Sequence, residues 1–219
     1  MAIAENLTTI KASIPKHVTL VAVSKTKPEE AILEAYEAGQ RVFGENKVQE
    51  MTRKWQNLPK DIKWHMIGHV QRNKVKYMAD FVSLIHGVDS LKLLKEIDKQ
   101  AKKYQRTIPC LLQIHIAEED SKFGFNENEL NELLLSNEFK CLENIQIKGL
   151  MGMATFTTDK DQIRKEFKHL KELFDSTKKI VAEMDVISMG MSGDYSIAIQ
   201  EGSTMVRIGS SIFGARNYQ

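Results

Sequence analysis

Apolar positions along the chain recur in two alternating rhythms. Short runs of strand length, rich in β-branched residues, are each followed by residues spaced three or four apart. Val18 to Ser24 is the first run. Pro28 and Glu29 open a helical pattern behind it that carries Ile32, Leu33, Ala35 and Tyr36 and closes at Gly39. The rhythm repeats with strands at Arg41–Phe43, Lys63–Ile67, Val82–His86, Cys110–Ile116, Ile145–Met151, Val186–Met189 and Met205–Ile208. Between them lie helices marked by Val48, Met51, Trp55 and Leu58; by Val75 and Met78; and by Leu91, Leu94, Ile97 and Ala101. Another helix begins near Asn126, a good N-cap residue. The clearest one carries Ile163, Phe167, Leu170, Phe174, Thr177 and Val181. A short helix around Tyr195–Ile199 and a final turn from Ser211 complete the series, and Ile3, Leu7 and Ile10 mark an amphipathic helix ahead of it.

Eight strand–helix units in sequence predict a parallel sheet, and eight is the number that closes a (β/α)8 TIM barrel. An open doubly wound sheet would call for a glycine-rich fingerprint after the first strand, and VSKTKPEE is not one. The expectation is one barrel domain over residues 1–219, with an extra N-terminal helix.

Composition removes several classes. With 42% hydrophobic and 27% charged residues, the 219-residue chain has the make-up of an ordinary globular protein. No apolar stretch approaches membrane-spanning length, and the N-terminus lacks a basic start with an apolar core, so a cytoplasmic location is expected. Net charge is +2, with lysines and glutamates interleaved on helical stretches, which argues against a nucleic-acid footprint. Cys110 and Cys141 lack metal-ligand spacing and secretory context, so neither metal nor disulfide is expected of them. His65 and His69 have HxxxH spacing but straddle a strand end and a loop without a nearby third ligand.

Lys25 is the first chemical anomaly. A lysine where a buried strand ends reaches its nucleophilic free-amine form nearer neutral pH, and such an amine condenses with aldehydes. The plain alternative is a lysine that has reached solvent. Lys27, past the strand and beside Pro28, is read as a solvated loop lysine or a neighbour that lowers the pKa of Lys25. The loops after strands seven and eight, Ser188–Asp194 and Arg207–Ser211, combine glycine and serine ahead of helix starts, at the barrel positions where phosphate often binds. Ordinary turn capping would also explain them. Arg207 is either a charged donor beside Lys25 or half of a structural salt bridge with a glutamate. A Schiff-base lysine, a phosphate cup and an arginine together describe a site for a phosphorylated aldehyde, and pyridoxal 5′-phosphate (PLP) fits. An aldolase of sugar phosphates using no cofactor is a further reading.

The stretches VAVSKTKP, FGENKVQE, WHMIGHVQRNK, GLMGMA, SMGMSGDY and EGSTMVRIGSSIFGAR resemble those of the pyridoxal phosphate homeostasis proteins (the YggS/PROSC type), relatives of the N-terminal barrel of alanine racemases. The resemblance spans essentially the whole chain. It implies a fold-type III PLP-binding barrel with Lys25 as the internal aldimine, phosphate contacts from Ser192, Gly209 and Ser210, Arg207 at the pyridine nitrogen, and Asn46 lining the pocket. An arginine there leaves the ring nitrogen neutral and weakens carbanion stabilisation. Racemases add a β-rich second domain that supplies a catalytic tyrosine, and this chain ends at Gln219. They also place a histidine against the cofactor ring where Met153 stands here, and their phosphate-binding tyrosine has no counterpart in TKPEE. The resemblance therefore implies a carrier active in PLP homeostasis and delivery, without strong turnover and not an enzyme proper; the alternative is a weak PLP-dependent amino-acid racemase. The partners implied are PLP itself and PLP-dependent apo-enzymes or amino acids, with no nucleic acid and no membrane, and the expected state is a monomer. His115 and Gly87 look like local variations on the family pattern.

Overall fold

A computed structural model describes residues 2–118 and 123–214. Eight parallel strands form a closed barrel in which each pairs with the next and the eighth pairs with the first. They are β1 (Thr19–Val23), β2 (Val42–Glu45), β3 (Lys63–Met66), β4 (Leu84–Val88), β5 (Ile108–Gln113), β6 (Ile145–Met151), β7 (Val186–Met191) and β8 (Met205–Ile208). Around them lie α1 (Ala2–Ser13), α2 (Glu29–Glu37), α3 (Val48–Asn57), α4 (Leu91–Lys103), α5 (Glu127–Leu135), α6 (Asn137–Lys140), α7 (Lys160–Lys178), α8 (Tyr195–Gln200) and α9 (Ser210–Phe213). The expected (β/α)8 architecture and the added N-terminal helix are both present. No helix among the described residues is long and apolar enough to cross a membrane.

Local chemistry sets the element ends. Asn126 closes a reciprocal capping box with Glu129 at the start of α5, and the Asp159 carboxylate accepts the amides of Asp161 and Gln162 at the start of α7. Gly39, at φ +83°, turns the chain out of α2.

Burial divides the apolar residues into two layers. The larger lies between strands and helices and includes Ile32, Phe43, Trp64, Leu94, Phe167 and Ile208. Val21, Leu84, Leu111, Met151 and Met205 form a separate buried cluster. These positions have the opposite strand parity, which fills the barrel interior.

Some expected boundaries shift. Between β3 and β4 the chain forms a 3₁₀-helix, Arg72–Tyr77, where an α-helix was expected; only Val75 of that segment is buried and no side chain caps its start. β4 starts two residues later than its apolar run, and β5 stops at Gln113, leaving Ile114 in an isolated bridge to Phe125. Trp64 is core, whereas Trp55 stacks on Phe81 at a 4.4 Å centroid distance nearer the surface. Both cysteines are free thiols. Glu119 and Asp120, which follow His115 in the chain, and the Ala215–Arg216 end of the last family stretch, lie outside the described residues.

Candidate functional site at the barrel mouth

A cavity of about 600 Å³ opens at the C-terminal ends of the strands. Lys25, Asn46, Met153, Ser192, Arg207, Gly209 and Ser210, the seven residues expected to bind the cofactor, line it. Its volume lies in the range of small-molecule sites.

Lys25 occupies a tightly braced turn. The Lys27 amide donates to the Ser24 carbonyl at 3.0 Å, and between them Thr26 takes φ +63°, a left-handed conformation that costs a β-branched residue about 1–3 kcal/mol. The Thr26 amide donates to Glu50 Oε1 at 2.7 Å, which helps to hold that conformation. Glu50 belongs to a buried network that sequence reading missed. The fully buried Lys54 donates to the Ser24 carbonyl at 2.9 Å, Glu45 Oε1 at 2.8 Å and Glu50 Oε1 at 2.7 Å, while the Ser24 hydroxyl donates to Glu45 Oε1 at 2.6 Å. A glutamate in the buried run VFGE was the available signal, because a buried carboxylate calls for a cation. Lys27 is not a solvated loop lysine. Its ammonium donates to the carbonyls of Phe213 at 2.9 Å and Gly214 at 3.2 Å, tying the first loop to the last turn.

The opposite wall comes from β7 and β8. Val21 of β1 pairs with Arg207 of β8, which brings the arginine beside the lysine-bearing strand. Arg207 is buried, and its fork donates to Ser188 O at 2.8 Å, Ser188 Oγ at 2.5 Å and Gly152 O at 3.1 Å. No carboxylate ion-pairs with it among the described residues, so the glutamate salt bridge weighed from the sequence is absent there. Burial lowers its pKa to about 10, with Asp194 opposing, so it stays charged at neutral pH. The Ser192 hydroxyl accepts the Gly209 amide at 3.3 Å. Asp194 Oδ1 accepts the Met191 amide at 2.5 Å, closing that loop, and burial raises the Asp194 carboxyl above its ordinary value.

Glycines make the mouth possible where backbones nearly touch. A Cβ at Gly209 would lie 3.1 Å from the Val23 carbonyl oxygen. One at Gly68 would lie 2.5 Å from the Asn46 carbonyl oxygen, and one at Gly87 2.6 Å from that of Gly68. Gly87, a local variation in the sequence, thus lets β4 approach the loop that backs Asn46. His65 does not line the cavity: it faces His86 inside the barrel, while His69 Nδ1 meets Asp89 Oδ2 at 2.9 Å. Among the described residues no group of three or more His, Cys, Asp or Glu side chains could hold a metal ion.

Residues 1–217 match the family model described as "Alanine racemase, N-terminal domain". The chain is 42% identical over 209 residues to the pyridoxal phosphate homeostasis protein of Vibrio alginolyticus, covering 93% of this chain and 89% of that protein. This chain belongs to the family of pyridoxal phosphate homeostasis proteins. Its relative from Escherichia coli K12 is 38% identical over 208 residues, covering 93% and 88% of the two chains. PipY of Synechococcus elongatus PCC7942, solved with PLP bound, superposes with a TM-score of 0.88 at 34% identity, covering 97% of this chain and all of PipY. An alanine racemase from Clostridium difficile shares the fold at 18% identity and TM-score 0.79; this chain spans 57% of its length.

Proposed function

We propose that the chain binds pyridoxal 5′-phosphate in this cavity and serves the handling of that cofactor, holding it and passing it on without strong turnover of a substrate. The naming of the relatives and the PLP bound to PipY support the reading. The observation that carries it is the donor set: a half-buried lysine at the end of β1, a buried arginine from β8 and a serine–glycine rim border one cavity. A Cβ at Gly193 would meet nothing within 4 Å, so the rim has open space on that side.

Bound there, the cofactor supplies an aldehyde that a lysine amine captures reversibly and a phosphate that calls for hydroxyl and amide donors. Lys25 is the covalent anchor. Ser192, Gly209 and Ser210 would hold the phosphate, and Asn46 and Met153 would border the ring. Arg207 would supply a donor to the ring nitrogen. A guanidinium only donates, so it cannot stabilise a protonated ring nitrogen. The ring then remains a modest electron sink, which suits a carrier.

A spectrum of the purified, PLP-loaded protein before and after borohydride reduction, with peptide mapping, tests this. The label is expected on Lys25, and Lys25→Ala should lose the visible band while melting normally. A colourless protein, or a label on Lys27, would overturn the assignment. Isotope exchange at the α-carbon of amino acids at ordinary enzyme rates would replace the carrier with a racemase. Delivery to PLP-dependent apo-enzymes and a monomeric state complete the reading; they are checked by reactivation of a cofactor-free recipient and by sedimentation.

A further inference from the structure

Inside the barrel, beside the apolar cluster, runs a polar chain that the proposed cofactor chemistry does not use. His65 Nδ1 of β3 lies 3.0 Å from His86 Nε2 of β4. His86 Nδ1 lies 3.0 Å from Ser188 Oγ of β7, the atom that Arg207 of β8 contacts through Nη1. All four side chains are buried. β4 and β7 are not neighbours in the sheet, so the His86–Ser188 contact crosses the lumen.

Of the proton arrangements open to this chain, one gives the Ser188 hydroxyl an acceptor within it. Arginine can only donate, so Ser188 Oγ accepts from it. The hydroxyl proton then needs an acceptor, and His86 Nδ1 is the other side-chain partner of that oxygen. A neutral His86 carries its proton on Nε2 and donates to His65 Nδ1, which leaves the His65 proton on Nε2. Both rings are neutral: burial first, then Lys63, lowers the pKa of His65 to about 3; burial, His65 and Arg207 hold His86 well below its ordinary value. Arg207 has five N–H bonds. Both on Nη1 are committed to Ser188 and one on Nη2 to Gly152, which leaves one on Nη2 and one on Nε for a ligand.

We propose that His86, backed by His65, is the positioning residue that fixes Arg207 as the hydrogen-bond donor to the cofactor's ring nitrogen, acting through Ser188. This rests on the PLP reading above. With His86 as acceptor, the Ser188 hydroxyl turns its proton away from Arg207 and its lone pairs toward it. Without that acceptor the hydroxyl is free to rotate, and the guanidinium loses one of its three fixed bonds.

The first measurement needs no cofactor. Long-range ¹H–¹⁵N correlation spectra of the cofactor-free wild type should find both rings neutral between pH 5 and 8 with the proton on Nε2. A proton on Nδ1 of His86 would overturn the relay even if PLP uptake is intact. In the loaded protein, His86→Leu should shift the pH midpoint of the visible band and speed cofactor loss about 2- to 10-fold, the effect of one hydrogen bond. His86→Asn, whose amide oxygen can stand where Nδ1 stands, should restore both. An unchanged band in the leucine variant, or equal losses in both variants, would assign His86 to packing alone. A wild type that takes up no PLP while the tautomers stand as stated would instead refute the cofactor reading, and with it the role of His86.

Discussion

Replacing Lys54 by methionine should destabilise the fold by about 3–5 kcal/mol, the cost of leaving a buried charge without its partner. The stem is similar in volume, so the loss is electrostatic and does not come from a cavity. Lys54 serves three oxygens, on Ser24, Glu45 and Glu50. Glu45 is fully buried and its Oε2 has no partner among the described residues, so the Ser24 hydroxyl would be its remaining hydrogen bond. A domain of this size shifts in melting temperature by about 2–4 °C per kcal/mol, which gives an expected drop of about 6–20 °C at pH 7. The pH dependence has a defined sign. Burial raises the Glu45 carboxyl above its ordinary value, and Lys54 and Ser24 are what hold it down. A carboxyl whose folded pKa exceeds its unfolded one binds its proton more tightly when folded, so stability falls as pH rises through that window. Removing Lys54 extends the window upward. The deficit of Lys54→Met should therefore shrink as pH is lowered from 7 to 5, and adding Glu45→Gln should recover part of it at pH 7. Thermal melts across that range are the assay. A drop below about 2 °C, or a deficit that does not change with pH, would refute the reasoning.

Ser210→Ala should weaken PLP retention by about 0.5–1.5 kcal/mol, one hydrogen bond, read as dialysis loss; unchanged loss would remove Ser210 from the phosphate contacts. Gly68→Ala forces a Cβ to 2.5 Å from the Asn46 carbonyl oxygen, so it should lower both melting temperature and PLP affinity, and an unaffected affinity would show that Asn46 does not border the ligand. His65 and His86 are neutral when folded but protonate in the unfolded chain below about pH 6.5. Each then removes stability as pH falls, approaching about 1.4 kcal/mol per pH unit. Urea midpoints between pH 7 and 5 should fall less steeply for His86→Gln than for wild type, and parallel slopes would contradict a neutral buried ring.

The barrel was legible because each strand–helix unit carries its own period, and β6 and β8 fall on the residues read from the sequence. The 3₁₀-helix was not, since Val75 alone of Arg72–Tyr77 is buried and too few contacts fix its pitch. The site's front wall was legible from lysine, glycine and serine at strand ends. Its supports were hidden for geometric reasons. Lys54 and Glu45 belong to different elements, so neither periodicity pairs them. Ser188 and His86 meet only because the sheet closes, and no local pattern records a contact across a lumen.

The pairing of β1 with β8 and the Lys27 staple to Phe213 and Gly214 also fix when the cavity can exist. A ribosome delivers β1 well before β8, and local elements form long before such distant pairings. Until Met205–Phe213 has emerged, Lys25 has neither Arg207 nor the Gly209–Ser210 half of the rim beside it. On the proposed PLP reading, a nascent chain is therefore blind to the aldehyde, and truncation before β8 should abolish capture outright and not merely weaken it.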